Sequence, residues 1–525
     1  MGISWSLHAK QHHVVLFGYE AWGHTRPLCN LAARLAKSRP IYVTLFTITT
    51  IHDRVRDELL RSFDADERHL LDRVRVISLT HNSANTQDRS ILEDSFATAF
   101  EKLAKEEAVQ CIHTDVSYGP VRAPDALVVD FHGRTAMEHA RRVGKKDFKV
   151  FAWHAGSASV AFRFWGPKQV GRIGDLRARS EYEAERSGIK VEEAAGEISL
   201  GHTGCVVYIP GLPPMYDHEI QPQRTLGSKA QIGVAMLGAY DVLNECDGML
   251  LATPECYEPG TVAALKGWFA ESSRKVFPCG PLVPHGEQAT SQQKEQSIHI
   301  QEFMNGILKK RGERTLVYIS FGTTYWPLEQ DKLSAFLDVM IELEIPFILN
   351  HASPYLSVPD SILQKVEGYE DAILTRWSPQ QLILRHPATA WFITHGGQSS
   401  VVESISEGIP MICWPFAFDQ PLNAAHISSN LDIGYELFQI RNGPGLKLVH
   451  RLGKVPEGSV EAVRAEARDV LMRAFGEDGE RKRANVLKLR HRMVGQPRSK
   501  RDPSRRAIGA FLDSLDSKDC LSCCL

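Results

Sequence analysis

The strongest constraint on the fold is an alternation of short apolar runs with stretches of helical periodicity. The first series opens with H-V-V-L-F (13–17), continues through P-L-C-N-L-A-A-R-L-A-K, and reaches a second apolar run, I-Y-V-T-L-F. Short β-branched runs indicate buried strands, and apolar residues repeating at three and four positions indicate helices. The sequence therefore predicts strand, helix, strand, the beginning of a parallel sheet covered on both faces.

The same alternation continues beyond these first elements. Strands are predicted at 74–79, 126–131 and 148–153, with helices near 91–111 and up to about 143. From about 165 to 245 the pattern weakens into an Arg- and Glu-rich helical stretch and the turn-prone I-P-G-L-P-P-M, before G-M-L-L-A-T resumes the strand rhythm. We interpret this weaker stretch as an insertion above the sheet.

A second series of strands and helices begins with T-L-V-Y-I-S-F-G-T (315–323) and includes P-F-I-L-N, A-I-L-T, A-W-F-I-T and P-M-I-C-W. The predicted organisation has four parts: an amino-terminal Rossmann-like domain, an interdomain linker, a carboxyl-terminal Rossmann-like domain and a helical tail, at 1–283, 284–300, 301–480 and 481–525. Two doubly wound domains leave a cleft where the carboxyl ends of both sheets can face a ligand.

Length and composition exclude several classes of protein. A chain of 525 residues is long for one domain, since domains typically hold roughly 100–200 residues. A net charge of -2 provides no attraction for nucleic acid, so no nucleic-acid partner is expected. The ten cysteines lack the regular spacing of a disulfide framework, and C-L-S-C near the end has no second pair at zinc spacing.

Both termini bear on localisation. The first residues lack the apolar core of a signal peptide, and no stretch approaches the ~18 apolar residues of a transmembrane segment, so a cytoplasmic protein is expected. Two short patterns leave lipid-mediated membrane association as an alternative: Gly2 with Ser6 fits N-myristoylation, and the final Cys523-Cys524-Leu525 fits prenylation.

The stretch T-H-G-G-Q-S-S (394–400) lies where an apolar strand turns into a helix. A helix amino terminus binds anions through its first N–H groups. His395 adds a hydrogen-bond donor and, when protonated, a positive charge, while Ser399 and Ser400 add hydroxyls. Gly397 allows a diphosphate to approach the backbone closely. The alternative is an ordinary glycine-rich turn with a serine cap.

The neighbourhood of this stretch carries a family resemblance. Residues 377–420 form a 44-residue box with Trp first, His at position 10, H-x-G at 19–21, Ser at 24, Glu at 27, then G-I-P-M, W-P and a closing D-Q. This box resembles that of the UDP-glycosyltransferase superfamily, which transfers sugars to small lipophilic molecules. The resemblance implies the GT-B fold, two Rossmann-like domains facing across a cleft, with a UDP-sugar as co-substrate.

Residues of the box suit the nucleoside half of a UDP-sugar. Trp377 offers an indole face on which uracil can stack, and backbone groups beside Ser378 and Gln380 can bond its polar edge. Glu403 lies one helical turn beyond Ser400, on the same face, and can accept both ribose hydroxyls.

The residues suited to the sugar half of a UDP-sugar lie at the end of the box. Asp419 and Gln420 supply an acceptor and an amide for sugar hydroxyls. The resemblance implies donor contacts for seven residues: Trp377, Gln380, His395, Ser400, Glu403, Asp419 and Gln420. His386 and Trp414 are expected to be structural.

The box departs from its plant version at three positions, and the last two of them lie near the sugar. Gly396, Gln398 and Ser399 stand where Cys, Trp and Asn are usual, and F-I-T-H-G-G is closer to animal and bacterial relatives. Gln420 favours UDP-glucose, and UDP-xylose is the natural competitor.

A candidate catalytic pair lies in the first domain. His24 occurs in G-Y-E-A-W-G-H-T-R-P, directly after the first strand, and resembles the catalytic histidine of the family's G-H-x-x-P. It would remove the proton of the acceptor hydroxyl. Asp130, at the end of A-L-V-V-D, would fix its tautomer, with a helix cap as the alternative role.

The resemblance extends to three further positions. His154, in F-A-W-H-A-G, matches a residue that faces sugar and acceptor. Thr323, in I-S-F-G-T, matches a phosphate-facing hydroxyl, and Asn350 matches another donor-contacting position.

These residues predict an inverting transfer that uses no metal, since no Asp-x-Asp motif suited to a divalent ion occurs. The expected acceptor is lipophilic and hydroxylated, such as a terpenoid, polyketide, phenolic or hydroxylated lipid, in a fungal setting. It would be held by the loop after His24 and the region from about 85 to 245. Six large apolar residues are candidates for this acceptor site, with a place in the core as the alternative: Trp22, Phe131, Trp153, Phe162, Trp165 and Met215. The alternatives are a nucleotide-sugar-binding regulator without turnover, or a phosphorylase or sugar-nucleotide epimerase.

Overall fold

The first half of the chain is built around a seven-stranded parallel sheet. The computed structural model describes residues 11–18, 20–80, 89–167, 173–201, 204–224, 227–284, 291–353, 357–495 and 502–516. Gly2, Ser6 and the terminal cysteines from 520 onward lie outside these ranges.

The strands and helices of the first half alternate along the chain. The strands are β1 (His13–Phe17), β2 (Tyr42–Thr47), β3 (Val74–Ser78), β4 (Val109–Gln110), β5 (Ser117–Tyr118), β6 (Ala126–Asp130), β7 (Lys149–His154), β8 (Val206–Val207), β9 (Met215–Tyr216), β10 (Gly248–Leu251) and β11 (Lys275–Pro278). The helices are α1 (Trp22–Ser38), α2 (His52–Leu60), α3 (Ser90–Ala104), α4 (Arg134–Val143), α5 (Ala158–Trp165), α6 (Leu176–Ser187), α7 (Val191–Leu200), α8 (Lys229–Glu245) and α9 (Pro259–Ala270). The sheet order is β11-β10-β7-β6-β1-β2-β3.

The second half carries a six-stranded parallel sheet in the order β14-β13-β12-β15-β16-β17. Its strands are β12 (Leu316–Ser320), β13 (Phe347–Asn350), β14 (Ala372–Thr375), β15 (Thr389–Thr394), β16 (Met411–Cys413) and β17 (Gly434–Glu436). Its helices, and those that follow, are α10 (Ser291–Arg311), α11 (Gln330–Glu342), α12 (Asp360–Glu367), α13 (Gln380–Arg385), α14 (Gln398–Glu407), α15 (Asp419–Ala425), α16 (Val460–Ala474), α17 (Glu477–Val494) and α18 (Pro503–Asp516).

Both sheets are buried on both faces, which explains why their strands read as continuous apolar runs. In β1, Val15 belongs to one buried cluster and its neighbour Val14 to another. In β12, Ile319 and Tyr318 divide between two clusters in the same way. The prediction of two doubly wound α/β domains is confirmed.

The described part of the region from 165 to 245 includes the α-helices α6, α7 and α8, in agreement with the helical stretch that the sequence indicated, and its short β8–β9 hairpin was not predicted. Helices α7 and α8 pack closely because each has a glycine where it meets the backbone of the other helix. A Cβ atom at Gly196 would collide with the carbonyl of Lys229, and one at Gly233 with the carbonyl of Glu192. Helix α3 ends at Ala104, earlier than predicted, and residues 109–110 form β4 instead.

The segments predicted as a linker and a tail both contribute helices that pack against the two halves. Residues 291–300, within the proposed linker, begin helix α10, which buries Ile300, Met304 and Ile307. Helix α18 returns to the first sheet, where the Phe511 ring meets Phe151 edge to face at 5.0 Å. Among the described helices, none combines the length and apolar character that crossing a bilayer requires.

Candidate functional site

The carboxyl ends of both sheets border one cavity of about 2220 Å³, lined by residues of both halves. Small-molecule sites commonly occupy roughly 300–1,000 Å³. The cavity is therefore large enough for two substrates side by side.

On the first-domain wall, His24 and Asp130 form a hydrogen-bonded pair. His24 lies in the first turn of α1, and its Nδ1 is 2.7 Å from Oδ2 of Asp130 at the end of β6. The other oxygen of Asp130 accepts the backbone N–H of His132 at 3.1 Å. The His24 side chain is 26% exposed and the Asp130 side chain 3%, so the carboxylate lies behind the imidazole.

The charges of this pair support each other. Burial would lower the pKa of His24, but the Asp130 charge and hydrogen bond outweigh it, and the pKa is raised. Burial would likewise raise the pKa of Asp130, yet the His24 imidazole leaves it lowered. With Nδ1 held by a carboxylate, the ring accepts a proton at Nε2, and the resulting imidazolium is stabilised.

Two more histidines approach the same wall. Burial lowers the pKa of both His132 and His154 to about 4, so both rings are neutral at physiological pH. Nε2 of His154 lies 2.9 Å from the Ser157 carbonyl, which assigns the proton to Nε2. Nδ1 of His154 is buried without a partner among the described residues, and the side chain lines the cavity. That nitrogen can accept a hydrogen bond from a hydroxyl group of a ligand.

The second domain contributes the amino terminus of α14, which follows Gly397. The N–H of Gln398 donates to Oδ2 of Asp419 at 3.0 Å. Helix geometry leaves the next two N–H groups, of Ser399 and Ser400, without an intrahelical acceptor. They line the cavity and can bind an anion.

His395 lies directly before this helix. Its ring packs directly against Gly322 and Gly397. A side chain at Gly322 would have no room, since its Cβ atom would lie 2.9 Å from the ring. Burial lowers the pKa of His395 to about 4, so the imidazole is a neutral donor. The positive charge considered from the sequence is therefore absent in the unliganded protein at neutral pH.

At the other end of the cavity, Gln380 and Glu403 are bonded to each other. Nε2 of Gln380 donates to Oε2 of Glu403 at 2.7 Å and to Oγ of Ser400 at 3.4 Å. Nη1 of Arg26, from α1 of the first domain, donates to Oε1 of Glu403. The Ser378 hydroxyl is 2.7 Å from that of Tyr318, and Trp377 lies alongside in the cavity wall.

Asp419 and Gln420 begin α15 after a strained turn. Phe418 has a φ of 60°, a conformation that residues with a Cβ atom rarely adopt. Burial raises the pKa of Asp419 to about 6. Oε1 of Gln420 accepts the N–H groups of Phe416 and Ala417 at 2.9 and 3.4 Å, which leaves the Gln420 amide nitrogen as its donor.

Comparisons with known proteins agree with this geometry. Residues 262–434 match the family described as "UDP-glucoronosyl and UDP-glucosyl transferase". The chain is 28% identical over 505 residues to UDP-glycosyltransferase eriJ of Hericium erinaceus, covering 92% of this chain and 95% of that protein. It is 31% identical over 363 residues to an anthocyanidin 3-O-glucosyltransferase of Hordeum vulgare, covering 66% of this chain and 69% of that protein. The chain belongs to the UDP-glycosyltransferase family.

The fold of this transferase is GT-B. A crystal structure of a transferase from Siraitia grosvenorii in complex with UDP superposes with a TM-score of 0.68 at 17% identity, covering 97% of this chain and 100% of that one. The enzyme is thus a UDP-dependent glycosyltransferase, as the signature box predicted.

The structure brings the predicted site residues of the transferase together. All line the cavity except Asp130, which supports His24 from behind: His24, His154, Thr323, Asn350, Trp377, Ser378, Gln380, His395, Gly397, Ser399, Ser400, Glu403, Asp419 and Gln420. Asn350 donates through Nδ2 to Oγ of Ser320 at 3.2 Å. Trp414 is buried against Phe321 and Phe336, which agrees with a structural role.

The apolar wall was predicted only in part. Trp22, Phe131 and Trp165 line the cavity, but the other three proposed residues pack in the core: Trp153, Phe162 and Met215. Phe164, Met236 and Phe418 line the cavity instead. Helical periodicity in α5 contained the signal, since Val160 and Phe164 are four residues apart and share the cavity face.

One group of possible metal ligands occurs among the described residues, and it comprises His52, Asp53 and His113. Nδ1 of His52 and Nε2 of His113 lie 3.2 and 3.1 Å from Oδ1 of Asp53. Their mutual hydrogen bonds account for this arrangement.

Proposed function

We propose that the transferase moves a sugar, glucose first and xylose next, from a UDP-sugar to a hydroxyl of a small lipophilic acceptor with inversion at the anomeric carbon. One observation carries the proposal: the His24–Asp130 pair, joined at 2.7 Å, opens into the same cavity as the amino terminus of α14. A base and an anion site on opposite walls are what a single displacement needs.

In the proposed reaction, Nε2 of His24 takes the proton of the acceptor hydroxyl as its oxygen attacks the anomeric carbon. The bond between that carbon and the diphosphate oxygen breaks, and UDP leaves with the bonding electrons. Asp130 stabilises the imidazolium that forms. Attack from the face opposite the diphosphate converts an α-linked donor into a β-glycoside.

The leaving diphosphate gains negative charge, and the α14 end of the cavity is suited to hold it. The N–H groups of Ser399 and Ser400 point from the positive end of the helix dipole, and neutral His395 adds a donor. Thr323 lies in the same wall. Because these groups supply the stabilisation, we propose that catalysis requires no metal and no further cofactor.

For the donor, Trp377, Ser378 and Gln380 would contact uracil, and Glu403 the ribose. Sugar hydroxyls would meet Asp419, the amide nitrogen of Gln420 and Asn350, whose Oδ1 is buried without a partner in the described part of the chain.

Gln398 is the residue that departs most from the plant pattern near the sugar. Its Nε2 donates to Oγ1 of Thr253 in the first domain at 2.9 Å, while its buried Oε1 has no partner among the described residues. That oxygen is a candidate acceptor for a sugar hydroxyl, so Gln398 would contribute to the choice of sugar.

For the acceptor, the apolar wall suggests a lipophilic molecule. The Phe131 and Trp165 rings meet edge to face at 5.3 Å, and Phe164 approaches Phe418 of the second domain at 6.2 Å. Nδ1 of His154 would bind a polar group. A terpenoid, polyketide, phenolic or hydroxylated lipid fits this chemistry, and we propose a cytoplasmic role in fungal natural-product biosynthesis or detoxification.

The test is to incubate the protein with a panel of UDP-sugars and lipophilic acceptors and to identify glycosides by mass spectrometry. We expect product from UDP-glucose or UDP-xylose. His24→Ala should lose product while UDP binding is retained. UDP binding without product from any pair would favour the regulator, and consumption of a UDP-sugar without an acceptor would favour an epimerase.

A further inference from the structure

Six charged and amide side chains are linked in one series of hydrogen bonds across the cleft at the nucleoside end of the cavity. Three come from the first domain and three from the second: Arg26, Glu58, Arg61, Gln380, Gln381 and Glu403. Nε of Arg26 donates to Oε1 of Glu58 at 2.8 Å, and Nη1 of Arg61 donates to the other oxygen of Glu58 at 3.0 Å. Arg61 also donates to Gln381, so the first domain contacts the second both through Arg26 and through Arg61.

Arg26 is the first-domain member that donates directly to Glu403. Its side chain is 15% exposed, and the Glu58 and Glu403 side chains are 4% and 3% exposed. Buried ionic groups are costly unless they are paired, and a two-sided guanidinium satisfies both carboxylates at once. Glu58 therefore holds the guanidinium of Arg26 in the orientation from which it reaches Glu403.

Glu403 retains room for a ribose while bonded to Arg26. A carboxylate offers about four lone-pair positions on its two oxygens. Arg26 occupies one position on Oε1 and Gln380 one on Oε2. One position on each oxygen remains, which matches the two adjacent hydroxyls of a ribose.

We propose that Arg26, a residue of the acceptor-side domain, is a positioning residue for the donor ribose. It fixes the carboxylate of Glu403 so that both oxygens face the diol. The inference rests on the proposed function, in which Glu403 binds the ribose. As a consequence, donor affinity depends on a residue of each domain.

The test compares the binding of UDP and 2′,3′-dideoxy-UDP by isothermal titration calorimetry. In Arg26→Met, we expect UDP to bind about tenfold more weakly, which corresponds to ~1.4 kcal/mol, and dideoxy-UDP to bind within about twofold of wild type. The dideoxy nucleotide lacks the hydroxyls that would donate hydrogen bonds to Glu403, so its affinity does not depend on the orientation of the Glu403 carboxylate. The selectivity for UDP over dideoxy-UDP should thus fall about tenfold.

Two further variants separate positioning from general structure. Arg56→Met removes an exposed charge from the same helix as Glu58 and should leave both affinities unchanged. Arg26→Lys keeps the positive charge beside Glu58 but lacks the guanidinium that donates to Glu58 and Glu403 together. This variant should fold normally, and its selectivity for UDP over dideoxy-UDP should lie between those of Arg26→Met and wild type.

Equal weakening of both nucleotides in Arg26→Met, or unchanged UDP affinity, would overturn the role of Arg26 while leaving the proposed function intact. Failure of the wild-type protein to bind UDP would overturn the proposed function and this inference together.

Discussion

Replacing Asp130 by Asn should slow the transferase strongly while leaving UDP binding intact. Asp130 accepts two hydrogen bonds, from His24 at 2.7 Å and from the His132 N–H at 3.1 Å. Asparagine has one carbonyl oxygen, so it can serve only one of these donors. A hydrogen bond to a charged group contributes about 1.5–3 kcal/mol, which predicts a loss of about 10- to 150-fold in kcat.

The pH dependence of the same variant gives a second readout. The pKa of His24 is raised in the protein because Asp130 outweighs the effect of burial. Without the carboxylate charge, burial dominates and the pKa of His24 falls. A general base acts when neutral, so the acidic limb of the kcat/KM profile should move to lower pH in Asp130→Asn.

The assay is UDP release followed from pH 5 to 9, with UDP affinity from calorimetry as the control. A variant with wild-type kcat and an unshifted acidic limb would refute the pairing of His24 with Asp130 as the basis of catalysis.

Four other outcomes follow from the structure. His395→Ala should weaken UDP-glucose binding by about tenfold, and affinity should change with pH between 5.5 and 7.5 to the same extent in variant and wild type, because the pKa of His395 is lowered to about 4 while Asp419, with a pKa of about 6, is present in both; a pH-dependent affinity that disappears in the variant would show a cationic His395. Gln398→Ala should change the ratio of kcat/KM for UDP-glucose and UDP-xylose, and an unchanged ratio would remove Gln398 from sugar selection. Phe511→Ala should destabilise the fold by about 3–5 kcal/mol, seen in chemical unfolding, because the ring is fully buried on the first sheet; a loss below 1 kcal/mol would contradict the docking of α18. Incubation with EDTA followed by gel filtration should leave turnover unchanged, and activity recovered only by an added divalent ion would contradict the metal-independent mechanism.

Much of the fold could be predicted because its strands are buried on both faces. Strands such as β1 and β15 are buried throughout and carry an uninterrupted apolar run, so they need no alternation to be recognised. The β8–β9 hairpin escaped prediction because each of its strands has only two residues. The docking of α18 on the first sheet depends on contacts such as Phe511 with Phe151, which are far apart in the sequence.

The donor site was predictable for a different reason. Most of its residues lie within one 44-residue segment, and the resemblance of that segment to the family's box implied that Trp377, Glu403 and Gln420 share one site; all three line the cavity. The cross-domain partners were not predictable, because nothing local marks Arg26 as a partner of Glu403. The acceptor wall was predicted incompletely, since an aromatic residue in α5 can face either the cavity or the core.

The anomeric configuration of the first product tests the central claim most directly. The protein would be supplied with a UDP-α-sugar and an accepted hydroxyl compound, and the coupling constant of the anomeric proton would be measured by NMR early in the reaction. A single displacement assisted by His24 predicts a β-glycoside. An α-glycoside would contradict the proposed mechanism, because retention of configuration requires a different path from a single displacement.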